Sequence, residues 1–212
     1  MNNIKIFLLN GPPGSGKDTL ANYIVQRDRE NFVKSWCAYP MKQAVKAFFA
    51  LSDEEFKEFE GNTVLKGTKL PRFLGMSYRE ACISFAEEWC KPTYGQRVFG
   101  ELLVERIKAL NSTKPLSVVI SDSGFNCEAE PMVEEFGKDN VFHVKLVRKG
   151  CDYVGDSRGY IDPKALGIKS YTIKNKTLEA YYAAGYYLMK SVSQSTKPIY
   201  SFPPELNIAY NE

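Results

Sequence analysis

The stretch IKIFLLNGPPGSGKDT, residues 4–19, decides how the rest of the chain is read. Ile4 to Leu9 is a short, nearly continuous apolar run, the pattern of a strand buried on both faces of a parallel sheet. Gly11-Pro-Pro-Gly-Ser-Gly16-Lys17 then fits G-x-x-x-x-G-K. Behind it, Leu20, Ala21, Ile24 and Val25 fall at helical spacing, which predicts a helix over 18–28. Strand, glycine loop and helix in that order make an anion cradle. The glycines let backbone N–H groups close on a phosphate, and the helix start adds the positive end of its dipole. The candidate nucleotide-binding residues are Gly11, Gly14, Ser15, Gly16, Lys17, Asp18 and Thr19, with Lys17 reaching the β- and γ-phosphates of ATP.

One position departs from the general motif. Asp18 follows Lys17 where a Mg²⁺-binding hydroxyl is expected, and Thr19 comes next. Either Asp18 takes part in metal binding through water or Thr19 supplies the hydroxyl from a shifted position. Thr19 is favoured, because a carboxylate beside phosphates is costly without a cation between them.

Outward from this loop, strands and helices alternate. Strands are predicted at 32–36, 116–120, 141–147 and 170–173, and helices at 41–51, 77–90, 98–110, 128–136 and 178–192. Ser52-Asp-Glu-Glu55 and Ser77-Tyr-Arg-Glu80 have the capping-box form, and Thr177 is placed to cap the last helix. Pro40 reads as an interruption, Pro92–Gly95 as the separator of two helices and Gly61–Gly75 as an exposed loop. Arg148–Gly167, rich in glycine, reads as a lid or a plain solvated loop, and the tail around Pro198, Pro203 and Pro204 as irregular. The alternation implies an α/β fold of three layers, α/β/α, with a central parallel sheet in one domain spanning 1–212.

Ligands of such sheets bind beyond the carboxyl ends of the strands, which puts Asp122 on the same rim as the glycine loop. There it can hold metal-bound water or orient an acceptor; a plain cap or turn is the alternative. Lys42 and Arg79 are candidates for an acceptor's phosphate, against ordinary surface charges. Arg79 falls in the first turn of a predicted helix, where the dipole disfavours a cation. Arg148, Lys149 and Arg158 bracket the lid, and a mobile arginine-bearing lid would neutralise charge and exclude water. Asn175 is a candidate for the adenine side.

The whole chain sets bounds. Its 212 residues, 44% of them hydrophobic and 25% charged, suit one globular domain. A net charge of +3, without a basic run interleaved with aromatics, does not call for nucleic acid. Five cysteines without a CxxC, beside the single His143, make a zinc site or a disulfide framework an unfavoured reading, and His143 itself reads as structural. No apolar run approaches the ~20 residues of a membrane span, and no export signal is read at the start, so the expected compartment is the cytoplasm. A motor ATPase is disfavoured, since no second acidic residue is evident beside Asp122 to activate water.

Gly11-Pro-Pro-Gly-Ser-Gly-Lys-Asp-Thr19 is similar to the phosphate loop of adenylate kinases and related nucleoside monophosphate kinases, which usually carry Gly where Asp18 stands. Gly-Lys-Asp-Thr resembles the form in bacteriophage deoxynucleoside monophosphate kinases. An ordered set extends the resemblance: Ala38-Tyr-Pro-Met-Lys42, Ser77-Tyr-Arg-Glu-Ala81, Lys91-Pro-Thr-Tyr-Gly95 with Phe99-Gly100, Ser121-Asp-Ser-Gly-Phe125, Gly155-Asp-Ser-Arg158 and Ile173-Lys-Asn175. It implies the P-loop kinase fold, a helical acceptor region around 38–100, a short lid around 149–167, and the reaction ATP + dNMP → ADP + dNDP with Mg²⁺. Lys17 would stabilise the transferring phosphate, Asp122 would position the acceptor or metal, and Arg79, Arg148 and Arg158 would clamp phosphates. A homodimer and a bacteriophage origin, hence a host cytoplasm, fit the same resemblance. A P-loop kinase for another phosphorylated metabolite and a non-catalytic nucleotide-binding protein are the alternatives.

Overall fold

The structure, a computed structural model, describes residues 4–112, 114–195 and 199–211. Its strands are β1 (Ile6–Asn10), β2 (Phe32–Ser35), β3 (Ser117–Ser123), β4 (Val141–Val147), β5 (Lys169–Lys174) and β6 (Ile208–Asn211). They form one sheet in the order β2-β3-β1-β4-β5-β6, parallel except for β6. β1 lies between β3 and β4; the helix that follows β1 packs on one face of the sheet and the helix that follows β3 on the other, which opens a crevice at the carboxyl ends of these two strands.

Alternation along β1 explains the layers. Ile6 and Leu8 point to one face, where they join Val118, Ile120 and Val141. Phe7 and Leu9 point to the other, with Val119, Phe142, Val144 and Ile173. The second face is covered by α1 (Lys17–Arg27) and the last helix, Leu178–Gln194. The first is covered by α2 (Tyr39–Phe48), α3 (Asp53–Gly61), α4 (Thr63–Gly67), α5 (Tyr78–Ser84), α6 (Lys91–Tyr94), α7 (Val98–Leu110) and α8 (Asn126–Phe136). A one-turn α9 (Pro163–Leu166) precedes β5, and Leu178–Gln194 is α10. Both faces of a parallel sheet must be buried in this way, which makes the fold the expected three-layer α/β/α architecture.

The capping boxes at Ser52–Glu55 and Ser77–Glu80 form, and Thr177 caps α10. Four expectations need correction. Pro40 does not interrupt; it occupies the second position of α2, where a missing N–H costs nothing. Gly61–Gly75 is not a plain loop. Asn62 caps α4, and a 3₁₀ turn at Pro71–Phe73 carries Phe73, fully buried against Phe49, Phe59 and Tyr78. The break expected over Pro92–Gly95 falls at Gly95 and not at Pro92. The helical run continues from Tyr78 to Tyr94 through a wide π-type turn at Phe85–Cys90, which relieves the clash a proline ring makes with the carbonyl four residues back. Finally, the tail is not wholly irregular: Pro204–Leu206 is a 3₁₀ turn and β6 adds an antiparallel edge, its Tyr210 ring 5.5 Å from that of Tyr171. Pro198 lies outside the described residues. Among the described residues no helix is long and apolar enough to cross a membrane.

Candidate active site

The glycine loop joins β1 to α1 at the sheet's carboxyl edge. Gly14 and Gly16 adopt positive φ, +77° and +99°, as a loop closing on an anion requires. At Gly11 the limit is space, since a Cβ there would lie 2.7 Å from both the Leu146 carbonyl and Ser15 Oγ. Side chains take up the loop's carbonyls. Lys17 Nζ donates to Gly11 and Pro12, Arg148 Nη1 to Gly14 at 2.9 Å, Asn175 Nδ2 to Ser15 at 3.0 Å, and the Tyr181 hydroxyl to Gly16 at 3.0 Å. The loop is thus shaped before an anion arrives. Ser15 Oγ is buried with no partner among the described residues, an orphaned hydroxyl inside the loop. Burial, then the neighbouring Arg158, lowers the Lys17 pKa to about 8. A phosphate beside it would favour the charged ammonium again.

Asp18 and Thr19 both lie exposed on the first turn of α1. Asp18 Oδ1 accepts from Lys34 Nζ and from Ser121 Oγ, each at 2.7 Å. Burial works to raise its carboxyl, but Lys34 and Ser121 outweigh this and hold it below the ordinary range. Lys34 and Ser121, on the ends of β2 and β3, escaped the sequence reading because nothing local marks them.

The lid is less free than its glycines suggest. Asn10, fully buried at the end of β1, donates from Nδ2 to Ser123 O (2.9 Å), the Tyr153 hydroxyl (3.0 Å) and Gly159 O (3.0 Å). Its Oδ1 accepts from Ile161 N at 2.8 Å and pairs with His143 Nε2 at 3.0 Å. Residues 153–161 are therefore pinned to the strand that launches the phosphate loop. His143 Nδ1 contacts Ser170 Oγ at 2.9 Å, and burial followed by the Lys145 charge lowers the imidazole pKa to about 4. The ring is neutral at physiological pH and structural, as the sequence suggests. Arg158 chelates Asp156 and packs on Gly124, where a Cβ would come within 2.7 Å of the arginine's own Cβ.

Asp122 turns to the other face of β3. Its carboxylate accepts from Cys37 N at 2.8 Å and Ala38 N at 3.0 Å, and so fixes the start of α2. Its charge interacts with those of Lys17, Arg158 and Lys42. A second acidic residue does stand beside Asp122, contrary to the sequence expectation. It is Glu128, early in α8, 7% exposed, its pKa raised to about 8 by burial and then by the Asp122 charge. The two stand six positions apart along the chain, and only the turn from β3 into α8 brings them together. At neutral pH Glu128 keeps its proton and offers no base for activating water.

Lys42, in the first turn of α2, donates to Glu60 Oε2 at 2.6 Å. Burial works against its charge, but Glu60 outweighs this and raises the ammonium pKa. Arg79 is exposed and makes no ion pair among the described residues.

No protein-family model matches the chain. A protein of Acanthamoeba polyphaga mimivirus, provisionally named a deoxynucleotide monophosphate kinase, is 30% identical over 186 residues, 82% of this chain and 91% of the relative. The chain belongs to the deoxynucleotide monophosphate kinase family. A crystal structure of a provisionally assigned kinase from Chloroflexus aurantiacus j-10-fl matches 92% of this chain and 100% of its own, at 14% identity and a TM-score of 0.48, too low to carry an argument. The pre-shaped loop of this chain lies where the strand order opens its crevice.

Proposed function

We propose that the chain transfers the γ-phosphoryl group of ATP to the phosphate of a deoxynucleoside monophosphate. The carrying observation is the loop Gly11–Lys17, held open by Arg148, Asn175 and Tyr181, with Arg158 and Asp122 in electrostatic reach of Lys17, and Lys42 in reach of Asp122. An acceptor phosphate oxygen attacks the γ-phosphorus, the bond to the β–γ bridging oxygen breaks, and ADP leaves. Catalysis of such a transfer is positioning and charge neutralisation.

In this reading the loop N–H groups and Lys17 hold the β- and γ-phosphates, and Lys17 exchanges its carbonyl partners for phosphate oxygens. Arg158 and Arg148 neutralise charge on the transferred group from the lid side. Asp122 fixes the Cys37–Ala38 segment that opens the acceptor region, with Lys42 and Arg79 on the acceptor's phosphate. Asn175 borders the adenine side.

Mg²⁺ suits the donors available, all oxygens of the kind a hard cation prefers, including the orphaned Ser15 hydroxyl. Thr19 and Asp18 would hold it, and when bound it shields the negative charge of the phosphates. The ion pair with Lys34 leaves Asp18 the weaker ligand of the two. A homodimer in a host cytoplasm agrees with the resemblance to phage kinases, and sedimentation tests the dimer.

The test is ADP release from Mg·ATP against a panel of dNMPs, NMPs and phosphorylated metabolites. Release dependent on one or a few dNMPs supports the reading. Release only with a non-nucleotide acceptor, or ATP binding without release on any acceptor, overturns it.

A further inference from the structure

Four helices of the acceptor region converge on one carboxylate. Glu60 Oε2, on α3, accepts from Lys42 Nζ of α2 at 2.6 Å and from Lys66 Nζ of α4 at 3.2 Å. Its Oε1 accepts from the hydroxyl of Tyr78 on α5 at 2.8 Å, and the Tyr78 side chain is fully buried. Tyr78 thereby fixes the carboxylate, and the carboxylate fixes two ammonium groups that share one oxygen. Arg79, the next residue of α5, adds its charge from the exposed side. Three cations gather around Glu60, and the carboxylates of Asp18 and Asp122 act on Lys42 as well.

The local excess at Glu60 is unfavourable without a ligand. Burial, with the Lys42 and Arg79 charges, pulls the Lys66 pKa down even though Glu60 opposes the shift. A phosphate monoester dianion carries negative charge that would offset this excess. The cluster is joined to the reaction rim through Lys42, whose charge interacts with both Asp18 and Asp122. The sequence shows none of this: Lys66 lies in Gly61–Gly75, which reads as a polar loop, and becomes part of a site only because Asn62 caps α4 and Phe73 anchors the segment.

We propose that Lys66 is a substrate-binding residue, contacting the phosphate of the acceptor nucleotide together with Lys42 and Arg79. Glu60 holds the ammonium groups in place until the phosphate arrives. The proposal rests on the kinase reading above and names a residue of its acceptor side.

The test is calorimetric binding to wild type, Lys66→Ala and Lys66→Gln. The probes are a dNMP accepted by the wild type, the matching deoxynucleoside, inorganic phosphate and ATP. Loss of one charge-assisted contact weakens dNMP binding by about 10- to 100-fold. Deoxynucleoside and ATP affinities stay within about twofold, because neither uses Lys66. Inorganic phosphate competes with the dNMP in the wild type and loses that competition in the variants. Melting curves matching the wild type confirm that the variants fold, and Lys66→Gln supplies a second chance should Lys66→Ala not fold. If both variants bind dNMP as the wild type does, or lose deoxynucleoside affinity equally, the assignment is wrong while the kinase reading stands. A wild type that binds ATP but no dNMP removes both.

Discussion

Replacing Glu128 by Gln should change how stability depends on pH. In the folded chain burial and the Asp122 charge raise this carboxyl from its ordinary 4.5 to about 8. The unfolded chain releases the proton near 4.5, so between those values the folded state binds one proton more and stability falls as pH rises. Each unit is worth about 1.4 kcal/mol, which makes the whole penalty roughly 4–5 kcal/mol above pH 8. About 2 kcal/mol of it develops between pH 6 and pH 8. Glutamine keeps the shape and does not titrate, so the gap between variant and wild type should widen by that amount. For a chain of this length the change is about 4–8 °C in Tm. Melting curves of both proteins at pH 6, 7 and 8 measure it. Comparing the two at each pH cancels the titration of Lys17, which also falls near 8. A gap constant to within about 0.5 kcal/mol across this range would refute the placement of Glu128 as a buried, protonated neighbour of Asp122.

His143 gives the opposite slope. Its folded pKa lies near 4, below the unfolded 6.5, so its contribution is complete above pH 6.5 and is lost as pH falls towards 4; acid titration of stability should show about 3 kcal/mol that disappears in His143→Gln. Asn10→Ala leaves Ile161 N and the Gly159 and Ser123 carbonyls without their partner, and should cost about 3 kcal/mol or more in urea unfolding, with faster hydrogen exchange at Ile161. Gly185→Ala sets a Cβ 2.4 Å from Leu20 Cδ1 between α1 and α10, and should cost about 1–3 kcal/mol by thermal melting.

Much of the fold is legible in the sequence because its signals are local. The apolar run into Gly11–Lys17 places β1, the loop and α1, and Ser52, Ser77 and Thr177 mark helix starts through caps that the structure forms. What escapes is set by tertiary contact. Phe73 organises a segment whose composition is polar, and the four-residue β6 exists only because the edge of β5 receives it. The site divides along the same line. The loop glycines and Lys17 announce themselves by spacing, whereas Asn10, Ser121, Glu128 and Lys66 gain their surroundings from residues between 6 and 151 positions away. Arg158 is visible as a charge among glycines, but its anchoring through Gly159 and Ile161 to Asn10 is not.

Transfer of label from [γ-³²P]ATP to a dNMP, resolved by chromatography and compared with Lys17→Ala, tests the central claim most directly. The account predicts labelled dNDP from the wild type and a loss of at least about 100-fold in the variant, whose melting curve stays close to the wild type. Label that stays in ATP or appears only as inorganic phosphate, or a Lys17→Ala enzyme as active as the wild type, would contradict it.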